Sequence, residues 1–199
     1  MLTKEHYIKH VIPYRMRSVA VLNIATKYVM AWDKPRSLEI YFDEKLAIRG
    51  LSTAFTNPAI EAGIIHCRAL LEFLGLRVSP KDPSKLVERS GKRDDDYVIE
   101  EFSGPRGPLA KVTVVEALSP YEGPRDEAET ALAAIIHCAN KGLAHMTTGH
   151  VVNLKDVRLY EIASRGVPTL VANYFYVRQG IEPPDWQLTS SQRNDQPGR

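Results

Sequence analysis

Residues 64–68 read Ile-Ile-His-Cys-Arg, and residues 135–139 read Ile-Ile-His-Cys-Ala. The second copy continues through residues 140–147 as Asn-Lys-Gly-Leu-Ala-His-Met-Thr. Each copy lies within a segment whose apolar residues recur every three or four positions, which is the period of an amphipathic helix. The near-repeat therefore predicts two neighbouring core helices with polar groups embedded in them.

The first of these helices has clear start and stop signals. Asn57 is an amide N-cap, and Pro58 follows it at the first helical position, where its missing N–H is not needed. Gly75 ends the segment directly after Leu74. The predicted inward positions are Ile60, Ile64, Cys67, Leu71 and Leu74. Arg68 and Glu72 are one turn apart on the opposite side, where they can pair.

The second helix is predicted to begin at Pro124 and to run to about Thr147. Asp126 and Glu127 lie in its first turn, where the helix dipole favours negative charge. Its predicted core stripe consists of Leu132, Ile135, Ala139, Leu143 and Met146. Its predicted flank consists of Ala134, Cys138, Gly142 and His145. The small residues of this flank allow a neighbouring helix to approach closely.

Most of the remaining chain is also predicted to be helical. Residues 3–12 and 14–31 are expected to form helices interrupted at Pro13, which cannot donate a backbone hydrogen bond. Residues 38–54 are expected to form another helix, and residues 154–177 a last helix bent near Gly166-Val167-Pro168. The expected inward positions of the 38–54 helix are Leu38, Phe42, Leu46 and Leu51.

Residues 77–122 interrupt this pattern with prolines, glycines and a charge run, which predict an irregular surface excursion. Within it, residues 97–102 are expected to form a short helix, and residues 111–118 a short helix or extended loop. The fold class is therefore an all-α bundle of about five or six helices. We assign one domain to residues 1–180, with its core at 55–178, and a flexible, disordered tail to residues 181–199.

The composition is that of an ordinary soluble globular protein, with 44% apolar and 25% charged residues among 199. A net charge of +2 is too small to require a nucleic-acid partner. The two cysteines, Cys67 and Cys138, favour a reducing compartment and buried free thiols over a disulfide. The start lacks the apolar core of a signal peptide, and no apolar stretch is long enough to cross a membrane. A cytoplasmic protein is expected.

The polar groups of the second helix form the candidate site. His145 is either a partly buried imidazole that holds a neighbouring element or a general acid and base, because its ordinary pKa is near neutrality. Asn140 has a low helix propensity, so its amide is expected to be used, either structurally or on a ligand. Lys141 and His137 are expected to point away from the core. The six histidines and two cysteines lack the spacing of a zinc site, so neither a metal nor another cofactor is predicted.

The run 140–147, together with the helix that carries His66 and Arg68, resembles the HEPN superfamily of prokaryotic helical bundles. The resemblance covers roughly residues 55–178. Active members carry an arginine, a polar residue, three further residues and a histidine, and they cut RNA as dimers without a metal. When the two motifs are aligned, Asn140 occupies the position of the family's arginine, Lys141 that of the polar residue and His145 that of the histidine. The arginine is thus replaced, and Lys141 or Arg68 is the cation left to take its role.

Two hypotheses follow. In the first, the resemblance implies a cytoplasmic protein that binds RNA, and that cleaves it in the catalytic version, as a homodimer. Its catalytic residues would be His145, Asn140 and Lys141, and its substrate-binding residues Arg68 and His66. In the second, the chain is a non-catalytic interaction or antitoxin-like module with a protein partner, in which Asn140 and His145 only hold helices together. No membrane partner is expected in either case.

Overall fold

The computed structural model describes residues 3–92, 94, 96–143 and 156–188, which are mostly helical and include three small antiparallel hairpins. The α-helices are α1 (Lys4–His6), α2 (Ile12–Ala31), α3 (Thr53–Phe73), α4 (Val114–Leu118), α5 (Arg125–Cys138) and α6 (Val157–Val171). π-helical turns lie at Tyr7–Val11, Ala139–Leu143 and Ala172–Val177, and a 3₁₀ helix at Ile99–Glu101. The strands are β1 (Ser37–Phe42), β2 (Lys45–Leu51), β3 (Leu76–Val78), β4 (Leu86–Glu88), β5 (Ser103–Gly104) and β6 (Gly107–Pro108).

The two copies of the near-repeat lie on neighbouring helices, as predicted. The first copy is on α3, and the second spans the end of α5 and the π-helical turn Ala139–Leu143. α3 packs against both α5 and this turn. Ile64 and Cys67 of the first predicted stripe are buried, as are Leu132, Ile135 and Ala139 of the second, which confirms these inward positions.

α2 is the helix against which α3 and α6 pack. Met16, Val19 and Leu22 on its inner side are completely buried. The predicted interruption at Pro13 is wrong, because helical structure continues from Lys4 to Ala31. Pro13 lies in the first turn of α2, next to the π-helical turn Tyr7–Val11, where the hydrogen-bonding pattern changes and a missing donor is tolerated.

The predicted helix at residues 38–54 is also wrong, because β1 and β2 form an antiparallel hairpin there. Its two-residue turn, Asp43 and Glu44, has φ values of 48° and 65°. Two positive φ angles in a two-residue loop match the twist of paired strands and reverse the chain. Three of the four expected inward positions, Phe42, Leu46 and Leu51, are exposed, and the fourth, Leu38, is half-buried.

The 77–122 stretch is more ordered than an irregular excursion. It contributes the end of β3, the strands β4, β5 and β6, the 3₁₀ helix and α4. Its buried side chains are Leu86, Val98, Ile99, Phe102, Leu109, Val112, Ala117 and Leu118. α4 begins with a reciprocal capping box between Thr113 and Glu116, which fixes a helix of only five residues. This stretch therefore completes the core beside α3 and α5.

α6 continues through Pro168 into the π-helical turn Ala172–Val177, and Trp186 packs against the core beyond it. Residues 144–155, which hold His145 and the beginning of the predicted last helix, lie outside the described residues, as does the end of the predicted tail from residue 189. Among the described helices, none has both the length and the apolar character needed to cross a bilayer.

Candidate functional site

A cleft of about 600 Å³ lies where the start of α2, the end of α3 and the chain around the β3–β4 hairpin meet. Its walls carry five cationic side chains and two carboxylates. The cations are Arg15, Arg68, Arg77, Arg89 and Lys92, and the carboxylates are Glu72 and Asp96. These residues come from four separate parts of the sequence, so folding concentrates positive charge that the near-neutral composition does not reveal.

The β3–β4 hairpin places two of the arginines on the same side. Arg77 pairs in register with Val87, and Arg89 follows Val87 by two residues. Because side chains alternate along a strand, Arg77 and Arg89 project from the same face. The Arg89 amide donates to the carbonyl of Gly75 across 2.7 Å, which keeps the chain paired beyond the end of β4. Gly75 itself has a φ of 97°, the left-handed conformation that turns the chain from α3 into β3.

Three of the five cations have carboxylate partners. Arg89 binds both carboxylate oxygens of Glu100, at 2.9 and 3.0 Å. Arg68 pairs with Glu72 at 2.9 Å, as its spacing predicted, and Lys92 pairs with Glu101. Within the described part of the chain, Arg15 and Arg77 have no carboxylate partner. They are the cations whose charge is available to a ligand.

Two guanidinium nitrogens in the cleft are buried without a hydrogen-bond partner, Nε of Arg77 and Nε of Arg89. A buried donor that lacks an acceptor loses its hydration and gains nothing in return, at a cost of about 1–3 kcal/mol. Such groups are rare in folded proteins, where an ordered water or an ion usually satisfies them. Both residues line the cleft, but these two nitrogens have almost no accessible surface of their own.

His66 adjoins the cleft through Arg15. A guanidinium nitrogen of Arg15 lies 3.2 Å from Nδ1 of His66, and the ring of Tyr14 meets the imidazole edge-on. Burial lowers the pKa of His66, and the nearby charge of Arg15 lowers it further. A neutral imidazole whose Nδ1 accepts from Arg15 carries its proton on Nε2. His66 is therefore built to donate a hydrogen bond from Nε2, and its Nδ1 lone pair is already used.

Two tyrosines supply an aromatic surface beside the arginines. Tyr7 and Tyr97 both line the cleft, and their rings stack with centroids 4.0 Å apart. The Tyr97 ring is in turn tilted against Phe102, a buried core residue, at 6.3 Å. The aromatic pair is thus held by the core, next to a concentration of cations.

Two of the three predicted catalytic residues, Asn140 and Lys141, lie outside the lining of the cleft. Asn140 is half-buried and Lys141 exposed on the π-helical turn after α5, while His145 lies outside the described residues. α5 runs antiparallel to α3: Glu129 near its start contacts Lys85 and Leu86, which follow α3 in the chain.

At the other end of α5, the Cys138 thiol is close enough to Glu61 to feel its charge. Glu61 precedes Arg68 by seven residues, about 10 Å along the helix. The fold therefore brings Arg68 and the His66–Arg15 pair together at one end of α3. Asn140 and Lys141 lie beside its earlier half.

The two cysteines are buried and unpaired, as predicted. Burial raises the pKa of both thiols, that of Cys67 most strongly. The Tyr160 hydroxyl shares a hydrogen bond with Cys138, and burial also raises the tyrosine's pKa. No cluster of three or more metal-ligating side chains occurs within the described ranges. The described cysteines therefore have the environment of core residues.

Arg15, Arg77 and Arg89 were not among the predicted site residues. Arg15 occupies an ordinary position on a helical segment, and Arg77 and Arg89 lie in the stretch predicted to be an irregular excursion. Alternation of residues 76–78 against 86–89 was the only signal that these two arginines share a face. Three-residue strands are too short for that alternation to stand out.

No protein-family model, curated protein or solved structure matches the chain.

Proposed function

We propose that this protein binds RNA, with its phosphate groups held in the arginine cleft. The observation that carries the proposal is the cleft itself, which gathers five cationic side chains, two of which, Arg15 and Arg77, have no carboxylate partner among the described residues. Phosphate oxygens are strong acceptors that match the planar fork of a guanidinium. The resemblance of residues 140–147 to the HEPN superfamily supports RNA as the source of these phosphates.

Each group in the cleft has a defined role in this proposal. Arg77 and Arg15 supply positive charge, and neither forms an ion pair with a carboxylate in the part of the chain that the structure describes. His66 donates from Nε2 while Arg15 fixes its ring. Arg89 is held in place by Glu100 and by the Gly91 carbonyl, so it contributes positive charge to the cleft wall. Charge-assisted hydrogen bonds of this kind are about twice as strong as neutral ones.

The Tyr7–Tyr97 pair favours a single strand over a duplex as the ligand. Bases that stack on aromatic side chains beside a basic groove are the usual basis of single-stranded RNA binding. In a duplex, the bases are already stacked on one another and do not reach such a surface. The cleft volume of about 600 Å³ lies within the range of small-ligand sites, so it accommodates an individual nucleotide of the strand.

In the cleaving form of this function, His145 exchanges a proton with the attacking 2′-hydroxyl or the leaving oxygen. Asn140 orients the phosphate, and Lys141 offsets its charge. The bound strand would then extend from the arginine cleft along α3 towards the π-helical turn Ala139–Leu143. His66 is not assigned the base role, because its Nδ1 lone pair is taken by Arg15.

Binding is tested by titrating labelled single-stranded RNA with the wild-type protein and with Arg77→Gln. The matched control is Arg36→Gln, an exposed arginine just before β1, at the other end of α3 from the cleft. We expect Arg77→Gln to weaken binding about tenfold and Arg36→Gln to leave it within about twofold. Equal affinities for the wild type and Arg77→Gln would refute the assignment of the cleft.

Cleavage is tested separately by incubating the same RNA, without divalent metal, with the wild type and with His145→Ala. The cleaving form predicts products from the wild type that are lost in the variant. Identical background cleavage by both proteins would rule out the proposed nuclease activity, and RNA binding alone would remain as the proposed function. A single-stranded DNA of the same sequence serves as the comparison ligand in both experiments.

A further inference from the structure

The β1–β2 hairpin is an exposed ribbon with apolar side chains. Each residue from Tyr41 through Leu51 is exposed, and Phe42 and Ile48 retain 67% and 47% of their accessible surface. At its base, the Ser52 amide donates to the Arg36 carbonyl, which extends the same ladder by one pair. The strands β1 and β2 make no backbone hydrogen bond to other elements among the described residues. A lone two-stranded hairpin is at best marginally stable in water and needs further strands or a packing surface.

The two faces of the hairpin differ. Glu39 pairs with Arg49 at 2.8 Å and accepts a hydrogen bond from the Tyr41 hydroxyl at 2.6 Å, so these three residues share one face. The register places Ile40 opposite Ile48 on the other face. Leu38 and Phe42, two residues to either side of Ile40, also belong to that face. Within β1, polar and apolar side chains are therefore separated, with Leu38, Ile40 and Phe42 on one face. Of their partners on β2, Ile48 extends this apolar patch, whereas Gly50 and Lys45 do not.

The two outer edges of the hairpin are also different. Ile40 pairs with Ile48 and Tyr41 with Leu46, so Ala47 has no partner and β2 carries a bulge. A bulge bends its strand and is a common device that prevents an edge from pairing with another chain. β1 is regular over its six residues and contains no proline. β1 is therefore the edge that is fit to accept another strand.

The sequence of β1 is complementary to itself in one antiparallel register. With a twofold axis at Ile40, Ile40 lies opposite the second copy's Ile40, Leu38 opposite Phe42 and Glu39 opposite Tyr41. Apolar residues then meet apolar residues, and each carboxylate meets a tyrosine hydroxyl. The neighbouring register, centred on Glu39, would place two carboxylates directly opposite each other, which is destabilising.

We propose that β1 pairs with β1 of a second copy of this chain, which forms a four-stranded antiparallel sheet in the order β2–β1–β1–β2. The second copy supplies the extra strands that the hairpin lacks, and it extends the apolar face across both molecules. The contact is isologous, as the twofold symmetry of most homodimers requires. The interface is small, so the dimer is expected to be weak, with a Kd in roughly the micromolar range. This inference is independent of the proposed RNA binding.

Site-specific cross-linking tests the proposal. In the paired sheet, Cβ atoms at position 40 of the two copies lie about 5 Å apart, while those at position 48 are three strand spacings, or about 14 Å, apart. We expect Ile40→Cys to form a disulfide-linked dimer on mild oxidation and Ile48→Cys to remain monomeric. The native cysteines do not interfere, because both are buried. Ile48 is the matched control because it is the cross-strand partner of Ile40.

A monomeric Ile40→Cys protein, or equal cross-linking at positions 40 and 48, would overturn the proposal. Sedimentation of two charge variants provides a second measurement. Ile40→Lys places two ammonium groups on the twofold axis and should raise the dimer Kd at least tenfold. Val115→Lys, at an exposed apolar residue on α4, should leave the Kd unchanged. A wild type that stays monomeric throughout would mean that another partner, or none, covers this strand.

Discussion

Gly63 of α3 lies directly against Leu22 of α2, so closely that a Cβ atom on Gly63 would stand 2.3 Å from the Cβ of Leu22. Leu22 is completely buried, and its position is fixed by the core around it. This contact sets the separation of α2 and α3. Arg15, two turns before Leu22, is thereby brought alongside His66, one turn after Gly63.

The contact predicts that Gly63→Ala destabilises the protein, although alanine is the better helix former. The new methyl group must push α2 and α3 apart, which typically costs about 1–3 kcal/mol. Thermal unfolding should show a melting temperature lower by about 3–10 °C. Gly166→Ala is the matched control, because nothing lies within 4 Å of a Cβ there, and it should stabilise α6 slightly. A Gly63→Ala protein as stable as the wild type would show that α2 and α3 are farther apart at Gly63 and Leu22 than the structure places them.

The Arg15–His66 pair predicts a shift in the titration of His66. Burial and the charge of Arg15 both lower its pKa below the ordinary value of 6.5. Arg15→Gln removes the second cause and leaves the first, so the pKa of His66 should rise and still stay below 6.5. NMR titration of the imidazole measures both values. An unchanged pKa in the variant would mean that the guanidinium does not interact with the ring.

The same pKa predicts how His66 contributes to the pH dependence of stability. The unfolded chain protonates His66 at about pH 6.5, whereas the folded protein does so only at a lower pH. The contribution of His66 is therefore complete above pH 6.5 and is lost as the pH falls from there through the folded pKa. Urea unfolding gives the free energy of unfolding of the wild type and of His66→Gln, and the two values should converge as the pH falls from 8 to 5. Parallel curves would contradict the lowered pKa.

The Asp43-Glu44 turn predicts a stabilising substitution. Both residues have positive φ angles, and a side chain in that conformation costs on the order of 1 kcal/mol. Glu44→Gly removes the cost at the second position and should slow hydrogen exchange of the β1 and β2 amides. Glu44→Ala retains a Cβ atom and should change the exchange little. Faster hydrogen exchange in Glu44→Gly would contradict the positive φ angle assigned to Glu44 in this turn.

The buried cysteines predict slow thiol chemistry. Burial raises the pKa of Cys67 and Cys138, and it also blocks access to both sulfurs. The folded protein should therefore react with a thiol reagent such as DTNB at pH 8 only as fast as it opens. The unfolded protein should react with two equivalents at once. Rapid labelling of the native protein at either cysteine would contradict the packing of α3 against α5.

The near-repeat predicted the helical character of the α3 and α5 segments and their contact, because long helices with regular apolar stripes leave a strong periodic signal. The predicted start of the first helix at Asn57-Pro58 was wrong, because α3 begins at Thr53 and contains Pro58. Ile64 and Ile135 are buried as their positions in those stripes required. The hairpin was missed because Leu38, Phe42 and Leu46 also fall at four-residue spacing. Its turn uses Asp43 and Glu44, neither of which is the glycine that usually marks such a turn.

The site was only partly predictable. Arg68 and Glu72 could be paired from their spacing on one helix, and His66 could be placed on the same helix. Arg15 and Arg77 reach the cleft through contacts between elements far apart in sequence, which no local pattern records. A net charge of +2 hides the cleft, because most carboxylates lie elsewhere on the surface or pair with Arg68, Arg89 and Lys92.

The salt dependence of RNA binding is the measurement that tests the central claim most directly. Each phosphate contact releases counterions and contributes nearly one unit to the slope of log affinity against log salt concentration. Arg15 and Arg77 are the cleft cations without a carboxylate partner among the described residues, so the double variant Arg15→Gln/Arg77→Gln should reduce the magnitude of the slope by about two. A wild type that does not bind RNA, or a double variant with the wild-type slope, would contradict the proposal that this cleft holds phosphate.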